Sequence, residues 1–145
     1  MAGEKIARLK HNLAKIASNP SIYLKEAAAA VLKDVKVERI DGQKQIDGSG
    51  MKRNKRATMA RKRAKGRKPY DHPLWDSQTM RKIKEWVIRA IGKAKVILQP
   101  GKGIAYRVVQ VQKLGYLFFG VSRDGRDDAD KAVEKKLRKD LEKGL

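Results

Sequence analysis

Apolar residues recur at helical intervals near both ends of the chain and in shorter, strand-like runs between them. Near the start, Ile6, Leu9, Leu13 and Ile16 lie three and four apart, with Lys5, Arg8, Lys10 and Lys15 among them. This spacing puts the apolar groups on one face and predicts an amphipathic helix over 2–17. That face packs either on the chain's own core or on a neighbouring subunit. Ser18, Asn19 and Pro20 then punctuate the chain, because serine and asparagine cap helices and proline suits the first helical position. A second helix is predicted over 20–35. Ile22, Ala27, Ala30 and Val31 share one of its faces, and Leu24, Ala28, Leu32 and Val35 an adjoining one, so it should be well buried. Towards the other end, Ala129, Val133, Leu137 and Leu141 recur every four residues, with acids in the first turns and bases in the last. They predict a helix over 126–143 whose charges suit the helix dipole.

The middle reads differently. Val35 to Ile40 alternates in part and predicts a short strand, followed by turn signals at Asp41-Gly42 and Asp47-Gly-Ser-Gly50. Lys84–Ile91 and Ala94–Gln99 flank Gly92-Lys93, and their β-branched content predicts a hairpin. Met80, Ile83, Val87 and Ala90 also fit a helical stripe, so a helix over 79–91 is the competing reading. Ile104–Gln112 is predicted as a strand with Ala105, Arg107, Val109 and Val111 on one face. Tyr116–Val121 is a short apolar run, consistent with a buried strand or one that meets a partner. Between the basic run and the sheet, Tyr70 to Ile83 reads as a corner. Leu74, Trp75 and Met80 are its core anchors, Pro73 fixes one φ, and Asp76 and Ser77 are turn and cap residues.

These elements predict an α+β fold: N-terminal helices, a small antiparallel sheet with a long basic loop or arm, and a C-terminal amphipathic helix packed on the sheet. A length of 145 residues suits a single domain over 1–145. Residues 1–41 form its helical part, 42–69 the basic arm or loop, 70–121 the sheet, and 122–145 the terminal helix.

Charge changes the picture. The formal net charge is +20, with 36% of residues charged. A balance so basic implies an anionic partner, an acidic protein surface, or both. The excess is concentrated in one arm: Lys52, Arg53, Lys55, Arg56, Arg61, Lys62, Arg63, Lys65, Arg67 and Lys68, with no acid between them. Like charges this dense repel one another, so an extended arm is expected, helical over 54–64 when an anion neutralises it. Its lack of aromatic groups argues for contact with backbone or surface charge rather than for base reading.

Candidate chemistry is sparse. With no cysteine and with histidines only at 11 and 72, no thiolate or His-rich metal set is available. Asp71, His72, Asp76 and Ser77 cluster without an order of nucleophile, base and orienter. Gly101-Lys-Gly103 lacks the pattern of a phosphate-cradling loop. Asp124, Asp127, Asp128 and Asp130 are accounted for by the helix dipole better than by a cation site. No catalytic residue, metal ligand or cofactor is therefore expected. No apolar run reaches the ~20 residues that span a bilayer. Met1 to Ile6 lacks the apolar core of a secretory signal, so action in the compartment of synthesis is expected.

One resemblance joins several of these stretches. Thr58-Met-Ala-Arg-Lys62, Leu74-Trp-Asp-Ser-Gln-Thr-Met-Arg81, Phe118-Phe-Gly-Val-Ser-Arg-Asp124 and the helix from Ala129 to Leu141 follow one another over residues 55–141. The order is similar to that of the bacteriophage virion-morphogenesis family, the tail-completion and head–tail joining proteins of the neck. Gln78 stands where that family carries glycine, and Lys82 where serine is common. The resemblance implies a non-catalytic structural virion protein, assembled in the host cytoplasm. It implies a homo-oligomeric ring, commonly a hexamer, that meets adjoining neck, connector or tail-terminator proteins and, through the arm, DNA in the channel, with no membrane partner. Tyr116, Leu117, Phe118 and Phe119 are the candidate subunit contacts. The competing reading from charge alone is a non-catalytic nucleic-acid-binding protein acting through its basic arm.

Overall fold

The computed structural model describes residues 1–74 and 79–143. The expected helices form: α1 spans Ala2–Ser18, α2 Ser21–Asp34 and α5 Arg123–Lys143. The hairpin reading also holds. Strands β1 (Trp86–Ile91) and β2 (Lys95–Pro100) pair antiparallel from Trp86↔Pro100 to Ile91↔Lys95. Gly92 turns between them with φ 66°, a left-handed value that glycine adopts freely. The fold is thus α+β, with helices at both ends and a two-stranded sheet.

α2 is the centre of the packing. It lies along α5 and also covers the hairpin, so the expected seat of the terminal helix on the sheet is made through α2. The core gathers Val31 and Leu32 from this helix, Val35 just beyond its end, Leu74 and Met80 from the corner, Trp86 from β1 and Ala129 from α5. Leu74 and Met80 are buried as anchors, as expected, while Trp75 lies outside the described residues. The Trp86 indole N–H donates to the Met80 carbonyl at 2.9 Å, which satisfies the one polar atom of a buried ring.

Several middle elements depart from their sequence reading. Val35–Asp41 is not a strand but a π-helical continuation of α2. Gly42 N–H donates to Val37 O and Lys44 N–H to Arg39 O, each five residues back. The wider turn brings Val35 and Ile40, both fully buried, towards one side. Ile104–Gln112 is likewise no strand: α4 spans Ala105–Lys113. Its inward residues, Ile104, Val108 and Val111, fall at helical spacing, and Gly101 O accepts from the Ala105 N–H at 3.0 Å to start the helix. Strand propensity here yields to tertiary packing, since β2 meets α4 as a surface to be covered. Residues 116–121 form neither strand nor helix. The sheet expected over 70–121 therefore contracts to the 86–100 hairpin.

Within that last stretch the subunit-contact expectation divides. Phe118 is fully buried, edge-on to Trp86 with centroids 6.5 Å apart, and Phe119 lies tilted over the same ring at 5.2 Å. Phe118 is thus a core residue, because its ring meets the buried Trp86 indole and joins the same apolar cluster. Leu117 remains exposed and Tyr116 half-buried.

A buried ionic cluster fixes this turn. Arg39 pairs with Asp34 and donates to the carbonyls of Phe118 and Gly120. Ser122 donates its hydroxyl to Asp34 at 2.7 Å and accepts from the Gly125 N–H at 2.9 Å, which caps α5. A Cβ at Gly125 would sit 2.7 Å from the Asp34 carboxylate. The Phe-Gly-Val-Ser segment thereby joins the end of α2 to the start of α5.

A cationic face and its cleft

The basic arm is partly structured at rest. Arg56–Ala64 forms α3, inside the segment expected to need an anion before it folds. Lys62 explains much of this. It is 1% exposed, and its ammonium donates to His72 O at 2.6 Å and Pro69 O at 3.3 Å. Burying an ammonium is costly unless carbonyls replace its water, and the loop after α3 supplies them. Lys62 thus leaves the set of partner-contacting residues: it fastens the arm to the corner.

Asn54 does the same from the other side. Its backbone N–H donates to Asp71 O at 2.9 Å, and its amide reaches Tyr70 O at 3.0 Å and His72 O at 3.2 Å. Arg63 stands over the Tyr70 ring at 5.3 Å, a cation–π distance. Arg53 lies 3.5 Å from the Asp71 carboxylate, whose other oxygen bonds the His72 ring at 2.8 Å. The His72 hydrogen bond holds Asp71 below the usual carboxylate range. These two residues thus serve the arm's electrostatics, and Ser77, their expected neighbour, lies outside the described residues.

Held this way, the arm presents its remaining cations outward. Lys52, Arg53, Lys55, Arg56, Arg61, Arg63, Lys65 and Lys68 are exposed, and Arg67 is half-buried. The face continues into a cleft of about 520 Å³. Asn54, Lys55, Thr58 and Arg61 form one wall and α4 forms the other, through Arg107, Gln110, Val111 and Leu114. Pro73, Leu74 and Met80 line it from the corner, with Tyr116 beyond. The spacing of Arg107, Gln110, Val111 and Leu114 is one helical face, so reading this stretch as a strand hid the α4 wall. The signal available was Ile104, Val108 and Val111, which are spaced as a helix.

Lys55, Arg61 and Arg107 are the charged groups lining the cleft, and no carboxylate is among its described lining residues. Charges set in a concave, partly apolar wall act through less water than on an open surface. Amide, hydroxyl and phenol groups stand beside them. Such a surface suits a polyanion: the cations neutralise phosphate or carboxylate, and the tyrosine offers a ring against which a base or apolar group can lie. Among the described residues, no group of three His, Asp or Glu side chains could hold a metal ion, and no helix is long and apolar enough to cross a membrane. No family model, characterised protein or solved structure matches the chain.

Proposed function

We propose that this protein is a non-catalytic structural subunit of a tailed-bacteriophage virion. It joins head to tail in the neck, as a ring of copies, and holds a polyanionic partner on its cationic face. The observation that carries the reading is that face itself: a fixed helix and cleft crowded with cations. The motif order over residues 55–141 supplies the virion context. In addition, the Phe118–Ser122 motif works here as a structural joint, as suits a protein whose task is shape.

Negative-stain electron microscopy of the concentrated protein tests this, with ring-shaped particles expected. A strict monomer at every concentration and in virion preparations overturns it. The aromatic group and amides at the cleft favour a second reading, a nucleic-acid-binding module that needs no ring. That reading predicts binding to short DNA that falls about 10³–10⁵-fold between 50 and 200 mM salt if ~6–10 phosphates are neutralised. Absent or salt-insensitive binding removes it.

A further inference from the structure

Residues 52–68 carry no aromatic ring, yet the fold sets one beside them: Tyr116, from the turn after α4, lines the same cleft as Lys55 and Arg61. Lys55, Thr58 and Arg61 stand three apart, so they share one side of α3 and its N-terminal flank. Their charge is not cancelled nearby. Lys52, Lys55, Arg56, Arg61 and Lys65 are exposed and engage no carboxylate among the described residues, whereas Arg53 has Asp71 beside it.

The cleft is more than a basic surface. Pro73, Leu74, Met80, Val111, Leu114 and Tyr116 make up half of its lining residues, and Leu114 is 76% exposed there. Phosphates or carboxylates gain nothing from such a wall, but a flat ring laid on it removes apolar surface from water. Polar groups lie among the apolar ones. The Thr58 hydroxyl makes no hydrogen bond among the described residues. The Gln110 amide donates to the Tyr106 hydroxyl at 2.7 Å, which leaves its carbonyl oxygen as an acceptor. A nucleotide matches all three kinds of group: its base has apolar faces and an edge of donors and acceptors, and its phosphate complements Lys55 and Arg61. A volume of about 520 Å³ is in the range of sites for ligands of that size. An acidic peptide divides ring and charge between separate residues. A duplex keeps its bases stacked and paired, and extruding one costs that stacking and pairing.

We propose that the cleft between α3 and α4 takes single-stranded nucleic acid, seating one unpaired base against Tyr116 and Leu114 while the neighbouring phosphates meet Lys55 and Arg61. A duplex still meets the outward cations, but through its backbone alone. Every base has an apolar face, so base identity matters little. The inference rests on the cationic-face reading in requiring a polyanionic partner, and adds which one.

Fluorescence anisotropy on the full chain tests it with a labelled thymidine strand of about 10 nucleotides, the same strand made abasic, and its blunt duplex. The intact strand should bind about tenfold or more tightly than either, since stacking one base on an aromatic ring contributes about 5–150-fold. Tyr116→Leu should weaken the intact strand about tenfold and leave the abasic strand unchanged, while Tyr116→Phe, which keeps the ring, should retain the affinity. Circular dichroism checks that both variants fold. If the abasic strand or the duplex binds as tightly as the intact strand, the single-strand inference falls while the polyanion reading stands. If Tyr116→Leu weakens both strands equally, the tyrosine is structural and the base seat is overturned. If polyglutamate competes better than unlabelled strand of equal charge, the partner is an acidic protein and the inference falls. If no polyanion binds, both readings fall.

Discussion

Lys62 and Arg61 are adjacent in sequence, yet the structure assigns them unlike tasks, and paired substitutions separate them. Lys62→Met keeps the aliphatic length and removes the ammonium. Two half-buried carbonyls, of His72 and Pro69, then lose a charged donor at 2.6 and 3.3 Å, and His72 O keeps the Asn54 amide at 3.2 Å. The loss costs about 1–3 kcal/mol, the range for one unsatisfied group. With a urea m-value of about 2 kcal/mol per molar, the unfolding midpoint should fall by about 0.5–1.5 M. Arg61→Gln touches an exposed side chain and should move the midpoint by less than about 0.3 M, within the ±0.5 kcal/mol usual for surface changes. On a short DNA duplex the order reverses. Each phosphate contact contributes a slope of about −0.9 in log K against log salt, so a fourfold rise in salt weakens binding about 3.5-fold per contact. Arg61→Gln should make the slope shallower by about 0.9, while folded Lys62→Met should leave it unchanged. Urea unfolding followed by circular dichroism and a fluorescence-anisotropy salt titration supply both readouts. If Lys62→Met flattened the slope and left the midpoint in place, the arm would not be fastened as described.

Three further outcomes follow from the packing. Phe118→Ala should destabilise by about 3–5 kcal/mol, as a fully buried phenylalanine does, whereas Leu117→Ala should cost under about 0.5 kcal/mol; equal midpoint shifts in urea would return Phe118 to the surface. Tyr23 donates to Asp140 at 2.8 Å, and burial, then that carboxylate, pushes its phenol up to about 12 from 10.0. Its phenolate is thus disfavoured in the fold, so the stability it lends is complete below pH ~10 and lost as pH rises towards ~12. Ultraviolet titration should show one of the four tyrosines ionising late, and Tyr23→Phe should abolish that phase; an ordinary titration of all four contradicts the contact. Gly125→Ala should cost about 1–3 kcal/mol in thermal or urea unfolding, because the new methyl meets Asp34 and Ser122, and a neutral result would mean that the α2–α5 joint is loose.

Periodicity alone determined the long elements. The stripe in α1, the twin apolar faces of α2 and the four-residue recurrence in α5 each carry enough repeats to define a helical face. Gly92-Lys93 between two β-branched runs likewise marks the hairpin, since few residues take the left-handed turn conformation. The concentration of charge over 52–68 was also legible, and with it the cationic half of the candidate interface. Tertiary structure decided the rest. A nine-residue apolar run such as 104–112 becomes strand or helix according to what stands next to it, and here a hairpin already closed left a surface to cover rather than an edge to extend. Lys62 reads as one cation among ten, because only the loop folded over it supplies carbonyls to replace its water. Phe118 and Leu117 are adjacent and similarly apolar, yet Arg39 grips the carbonyl of one and Trp86 encloses its ring. Pattern fixes the elements that repeat; burial of single side chains depends on neighbours distant in sequence, and those are brought together only by the fold.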